Sequence, residues 1–188
     1  QRDAQWNELR RQSALIRKQF LCRKSCQRSL LGLLPSLRVQ PVLFDAYGTL
    51  FDVYSVGLLA EQLFPGQGQV LSVLWRDKQI EYTRLVSTSN HGAHYRPFWE
   101  LTRAALVYAI KKIVTGAQAD WVAGGFDAQV ERLMNQYRHL SAFPENKAVL
   151  QALKDRGVVT GILSNGDPEL LGISVRSAGL EGLLDHVI

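Results

Sequence analysis

The first residues able to do chemistry lie in Asp45-Ala-Tyr-Gly-Thr-Leu-Phe-Asp52. They follow the short apolar run Pro41-Val-Leu-Phe44, so an acid ends what reads as a buried parallel strand. A carboxylate at that place costs solvation free energy unless it is hydrogen-bonded or has a function. Gly48 lets the chain turn sharply, and Thr49 is near enough along the chain to hydrogen-bond Asp45 and orient it. Taken alone, an Asp-x-x-Gly-Thr stretch reads as an ordinary strand-end turn. A second strand, Val158-Val-Thr-Gly-Ile-Leu163, ends in Ser164-Asn165-Gly166. In open α/β sheets ligands bind beyond the carboxyl ends of strands, so Asp45 and the pair Ser164-Asn165 should face one another.

Helices position these strand ends. One is expected from Pro144 to Arg156, stopped by Gly157, with Val149, Leu150 and Leu153 on its buried face. After Asn165, Asp167 offers an N-cap acid and Pro168 a first helical residue, so a helix should run to about Ala178 and stop at Gly179. A short strand, His186–Ile188, closes the pattern. Between the site strands, residues 53–142 read as a helical insertion packing on itself. Gln69–Val86 shows an apolar stripe of Leu71, Leu74, Trp75, Tyr82, Leu85 and Val86, and Pro97–Val114 one of Phe98, Leu101, Ala105, Ala109 and Ile113. Lys111 and Lys112 suit the last turn of that helix, with Gly116 beyond as a C-cap. A third helix is expected over Asp127–Leu140, with Val130, Leu133, Met134 and Tyr137 inward. The expected class is α/β: a Rossmann-like parallel sheet, residues 41–52 and 143–188, incomplete at its C-terminal end and carrying an inserted helical cap.

With 188 residues, 46% of them apolar, the chain can bury a core, and it has no apolar run long enough for a membrane helix. The net charge of +5 is uneven: residues 1–40 hold nine Lys or Arg against Asp3 and Glu8, leaving a mildly acidic body. That tail reads as a basic extension, and no nucleic-acid recognition module follows it. Cys22 and Cys26, the two cysteines of the sequence, both lie in it, which excludes a disulfide framework for the fold and fits a reducing, cytoplasmic setting. Two ligands are too few for a structural zinc site. His91, His94 and His139 have no nucleophile at recognisable spacing and are given no catalytic role.

The eight residues Asp45–Asp52, together with Trp75-Arg-Asp-Lys-Gln-Ile-Glu-Tyr82, Pro97-Phe-Trp-Glu-Leu-Thr-Arg-Ala-Ala-Leu106 and Leu163-Ser-Asn-Gly166, resemble the haloacid dehalogenase superfamily, type II L-2-haloacid dehalogenases in particular. The resemblance spans residues 42–188. Phosphatases of that superfamily carry a second Asp two residues after the nucleophile to protonate the leaving oxygen; here Tyr47 stands there. A halide needs no proton to leave, and no metal or other cofactor is expected.

The resemblance implies that Asp45 attacks carbon 2 of a small 2-haloacid opposite the halogen, and that water then hydrolyses the ester to a D-2-hydroxy acid. It implies Thr49 as a catalytic partner of Asp45, Arg76 beside the leaving halide, and Ser164 and Asn165 on the substrate carboxylate or halide. From spacing alone Arg76 would be a solvated helix-face residue, and Ser164 a helix cap. Tyr47, Ile80 and Phe98 match pocket positions of the family; Trp99 fits either pocket or cap packing. The family also uses a Lys-Pro loop and a later acidic segment, which this sequence, without lysine after Lys154, does not hold. Little or no dehalogenase activity and poor stability are therefore expected of these 188 residues alone, with an open sheet edge that leaves a homodimer as one outcome. Two alternatives are a superfamily hydrolase acting on another small electrophile and a non-catalytic protein. Neither a nucleic acid nor a membrane is an expected partner.

Overall fold

Short β-branched and aromatic runs become strands, and the amphipathic stretches become helices around them. The structure, a computed structural model, describes residues 40–188 apart from 115 and 116; the basic tail with Cys22 and Cys26, and the expected C-cap Gly116, lie outside the described residues. In chain order come β1 (Val42–Phe44), β2 (Phe51–Asp52), α1 (Gly57–Leu63), α2 (Gly68–Thr88), α3 (Phe98–Ile113), α4 (Ala117–Tyr137), β3 (Ser141–Ala142), α5 (Asn146–Asp155), β4 (Thr160–Ile162), α6 (Pro168–Ser177) and β5 (His186–Val187). Of the described helices, none is long and apolar enough to cross a membrane.

The main sheet has the order β1-β4-β5 with all pairs parallel, as an α/β reading requires. Leu43 lies opposite Gly161, and Gly161 opposite His186. Parallel strands need helical crossovers, and α6 is the crossover from β4 to β5. A second pairing was not anticipated: β2 and β3 form a two-stranded antiparallel ribbon, Phe51 opposite Ala142. It ties together the two points where the chain leaves the sheet region for the helices and returns.

The core is centred on the helices. Leu71, Trp75, Leu106, Ile110, Leu133 and Met134 are fully or almost fully buried, joined by Leu50 from the first turn and Phe51 from β2. Several expected inward positions fail. Val149 and Leu85 are 47% and 55% exposed, so the buried stripes of α5 and α2 are narrower than the periodicity suggests. β1 reads in sequence as a buried strand, and Leu43 is half exposed; its place at the sheet edge is the open edge expected of these residues. The helix expected over Asp127–Leu140 begins ten residues earlier, at Ala117, and runs through Gly124 and Gly125. A glycine pair lowers helix propensity by about 1 kcal/mol per residue, a penalty that packing elsewhere along a long helix can outweigh.

Candidate active site

The chain turns directly after Asp45. Ala46, wholly buried, accepts at its carbonyl from the amides of Leu50 and Phe51, each at 2.9 Å, while the Gly48 amide donates to Phe51 O at 2.8 Å. Gly48 sits at φ 95°, the left-handed region that a side chain rarely adopts. The turn is held from two sides. Asn146, at the start of α5, donates to the carbonyls of Thr49 and Leu50 at 3.1 and 2.9 Å. Arg76, on α2, donates from Nη2 to Tyr47 O at 2.8 Å and from Nη1 to Gln79 Oε1 at 2.7 Å. The guanidinium is thereby drawn off the solvated helix face and onto the loop that carries Asp45.

The ladder between β1 and β4 extends one step past the strands, with Leu163 N donating to Phe44 O at 2.9 Å. Asp45 and Ser164, the next residues of each chain, therefore emerge side by side at the carboxyl ends. The Ser164 hydroxyl accepts from Gly166 N at 3.2 Å. This bond closes its own turn and is not a cap on α6, so the hydroxyl proton stays available to a ligand. Asn165 is exposed beside it. A Cβ on Gly166 would fall 2.8 Å from Tyr47 Cε2, so only glycine lets this loop pack on the tyrosine ring.

Tyr47 is the centre of an aromatic stack. Its ring lies 5.0 Å from that of Phe98 and 5.5 Å from that of Tyr137, with interplanar angles of 28° and 25°. Such offset pairs add about 0.5–1.5 kcal/mol each beyond their buried area. Burial, the neighbouring Tyr137 phenol and the Asp167 and Asp45 carboxylates all push the Tyr47 hydroxyl above the usual tyrosine range. Tyr137 is pushed up to about 12, first by burial and also by Asp45, against the lowering effect of Gln79 and Arg76. Neither phenol titrates near neutral pH, so both rings stay neutral there.

Two expectations need correction. Thr49 makes no hydrogen bond to Asp45 and is exposed, because the turn's amides converge on Ala46 O and leave the Thr49 side chain outward. Asp167 occupies the N-cap of α6 but makes no side-chain cap; its Oδ2 is buried without a hydrogen-bond partner, and its charge acts on the Tyr47 phenol. Ile80, half-buried, stands one helical turn after Arg76 on the same face of α2. Trp99 has a packing partner in Arg138, whose guanidinium lies 4.8 Å over its ring. Phe98 is in the aromatic stack as well as at a position expected to line the pocket.

Sequence reasoning missed Gln79, Thr102, Tyr137 as a polar partner, and Asn146. A signal existed for the first two. Gln79 continues the stripe Leu71, Trp75 at helical spacing, and Thr102 does the same after Phe98; a polar residue on an apolar stripe asks for a buried partner.

Comparison with known proteins agrees with this geometry. The family model for haloacid dehalogenase-like hydrolases matches residues 40–188. The chain is 36% identical over 151 residues to haloacetate dehalogenase H-2 of Moraxella sp. (strain B), covering 80% of this chain and 62% of that one. A crystal structure of the L-2-haloacid dehalogenase RSc1362 superposes with a TM-score of 0.70 at 52% identity, over 80% of this chain and 63% of that one. The L-2-haloacid dehalogenase of Xanthobacter autotrophicus, solved with chloropropionic acid covalently bound, gives a TM-score of 0.67 at 33% identity, over 80% and 56%. The chain thus spans about 60% of the length of the curated relatives it matches.

Proposed function

The chain belongs to the haloacid dehalogenase-like hydrolases, and from that premise we propose that its residues serve the removal of halide from short L-2-haloalkanoic acids. A carboxylate oxygen of Asp45 attacks carbon 2 while the carbon–halogen bond breaks, and the halide leaves with the bonding electrons. Carbon 2 is inverted and an aspartyl ester results. Water then adds to the ester carbonyl of Asp45, freeing the D-2-hydroxy acid and a proton and restoring the carboxylate.

The observation that carries this reading is the bond from Arg76 to the carbonyl of Tyr47, 2.8 Å, which brings a permanent cation to the turn beside Asp45. In this reading the guanidinium stabilises the departing halide. Ser164, Asn165 and the first amides of α6 receive the substrate carboxylate, as helix N-termini do for anions. Tyr47, Phe98 and Ile80 exclude water around carbon 2, which strengthens each charge interaction. Residues 53–142 serve as the cap over residues 41–52 and 143–188. A cytoplasmic setting and a homodimer complete the proposal; the setting rests on the cysteine-free body.

The first half-reaction tests it without depending on the second. L-2-bromopropionate should release bromide as a burst limited to about one halide per chain, with turnover well below about 1 per second for these residues alone, and the D enantiomer should not. Absence of both turnover and burst with the L enantiomer would overturn the proposal.

A further inference from the structure

Arg76, Gln79, Thr102, Phe98 and Tyr47 close a ring of contacts drawn from α2, α3 and the Asp45 turn. Arg76 Nη1 donates to Gln79 Oε1 at 2.7 Å. Gln79 Nε2 donates to Thr102 Oγ1 at 2.6 Å, and Thr102 Oγ1 donates to Phe98 O at 2.8 Å. The Phe98 ring stacks on Tyr47, whose carbonyl accepts from Arg76 Nη2 at 2.8 Å. The Tyr137 hydroxyl braces the middle, 3.0 Å from Gln79 Nε2.

The direction of this chain follows from chemistry. A guanidinium has no acceptor, so the Gln79 amide must turn its oxygen toward Arg76. Its nitrogen then faces Thr102 and Tyr137, and Thr102, with its own proton committed to Phe98 O, presents only lone pairs to Gln79. Gln79 is 1% exposed, and a buried amide left unpaired costs about 1–3 kcal/mol, so each link enforces the next. Arg76 has five N–H groups; those spent on Gln79 and Tyr47, with the Tyr137 hydroxyl also beside the guanidinium, fix the plane in which the rest point.

From this geometry we propose that Gln79 is a positioning residue for halide departure: it holds the Arg76 guanidinium in the orientation that meets the leaving group. The inference rests on the dehalogenase reading above and deepens it. Its particular consequence is a dependence on the leaving group. Chloride leaves less readily than bromide and depends more on stabilisation by Arg76, so freeing Arg76 should slow chloride release more. A loss that came only from a loosened core would slow both alike.

The test uses Gln79→Met, which keeps the bulk and removes the acceptor, and Gln79→Glu, which keeps an acceptor but sets a carboxylate against the guanidinium. Release from L-2-chloropropionate should fall about tenfold to a hundredfold in Gln79→Met, and release from L-2-bromopropionate several-fold less, so the bromide-to-chloride ratio rises. Gln79→Glu should keep the fold and raise the same ratio. A second arm needs no turnover: bromide exchanged for acetate at constant ionic strength should raise the melting temperature of the unchanged protein and have little effect on either variant. An unchanged ratio in both variants, or bromide stabilising all three proteins alike or none, would overturn the role of Gln79. Failure of the unchanged protein to release halide, with bromide still discriminating the variants, would overturn the reaction while leaving the anion-positioning role standing.

Discussion

In the helical layer Trp75, Leu106, Ile110, Leu133 and Met134 are each almost wholly enclosed, whereas on the parallel sheet β4 is buried but Leu43 of β1, Leu163 just past β4 and Val187 of β5 stand 51%, 56% and 39% exposed. One region is organised by density, the other by register. The site draws on both: Asp45 and Ser164 come from the open sheet, where a substrate can approach, and Arg76 from the closed helical layer, where its orientation can be held. In the proposed reaction the nucleophile needs access and the cation aimed at the leaving group needs restraint, a division of labour that this difference in burial would serve.

The largest expected effect lies on the open side. Asp45→Ala should lower halide release by about four orders of magnitude or more, the scale seen when a nucleophile is removed. Asp45 is exposed, so its unfolding free energy should stay within about 0.5 kcal/mol of the parent by urea denaturation. Next comes the closed side. Ile110→Ala removes a fully buried side chain and should cost about 2–5 kcal/mol, measured the same way, with halide release per folded molecule little changed.

The pH dependence sharpens the contrast further. Tyr137 is pushed up from 10.0 to about 12 in the folded protein, so its contribution to stability is complete below pH 10 and is lost as pH rises toward 12. The loss amounts to about 1.4 kcal/mol per pKa unit by which folded and unfolded forms differ. Urea midpoints should therefore fall above pH 10, and less steeply in Tyr137→Phe; equal slopes in both proteins would contradict the assignment. The smallest effect returns to the sheet. Leu43→Thr, at a half-exposed edge position suited to a β-branched residue, should change stability by no more than about 0.5 kcal/mol.

Strand ends were legible because each local signal agreed with the next: an apolar run, an acid or Ser-Asn pair, a glycine and then a helix start. The order in which they pair, β1 with β4 and β4 with β5, was not read from the sequence. The start of α4 was not legible, because Gly124-Gly125 signals a break that tertiary packing overrides. Leu85 and Val149 were misjudged for the related reason that periodicity reports an apolar face but not how much of it finds a partner. In the candidate site, the neighbours of Arg76 were hidden by distance along the chain: Gln79 meets Thr102 and Tyr137 across 23 and 58 residues. The expected hydrogen bond from Thr49 to Asp45 is absent for a local reason, since proximity in sequence did not fix which way the side chain leaves a turn.

The central claim is that the carboxylate at position 45 displaces halide and carries the acid as an ester. Peptide mass spectrometry after reaction of the protein with L-2-bromopropionate in heavy-oxygen water addresses it directly. The account predicts a change confined to Asp45, either the mass of a bound propionate or, after hydrolysis, incorporated heavy oxygen. Hydroxy acid that takes its new oxygen from solvent in the first turnover, with Asp45 unmodified and unlabelled, would contradict it.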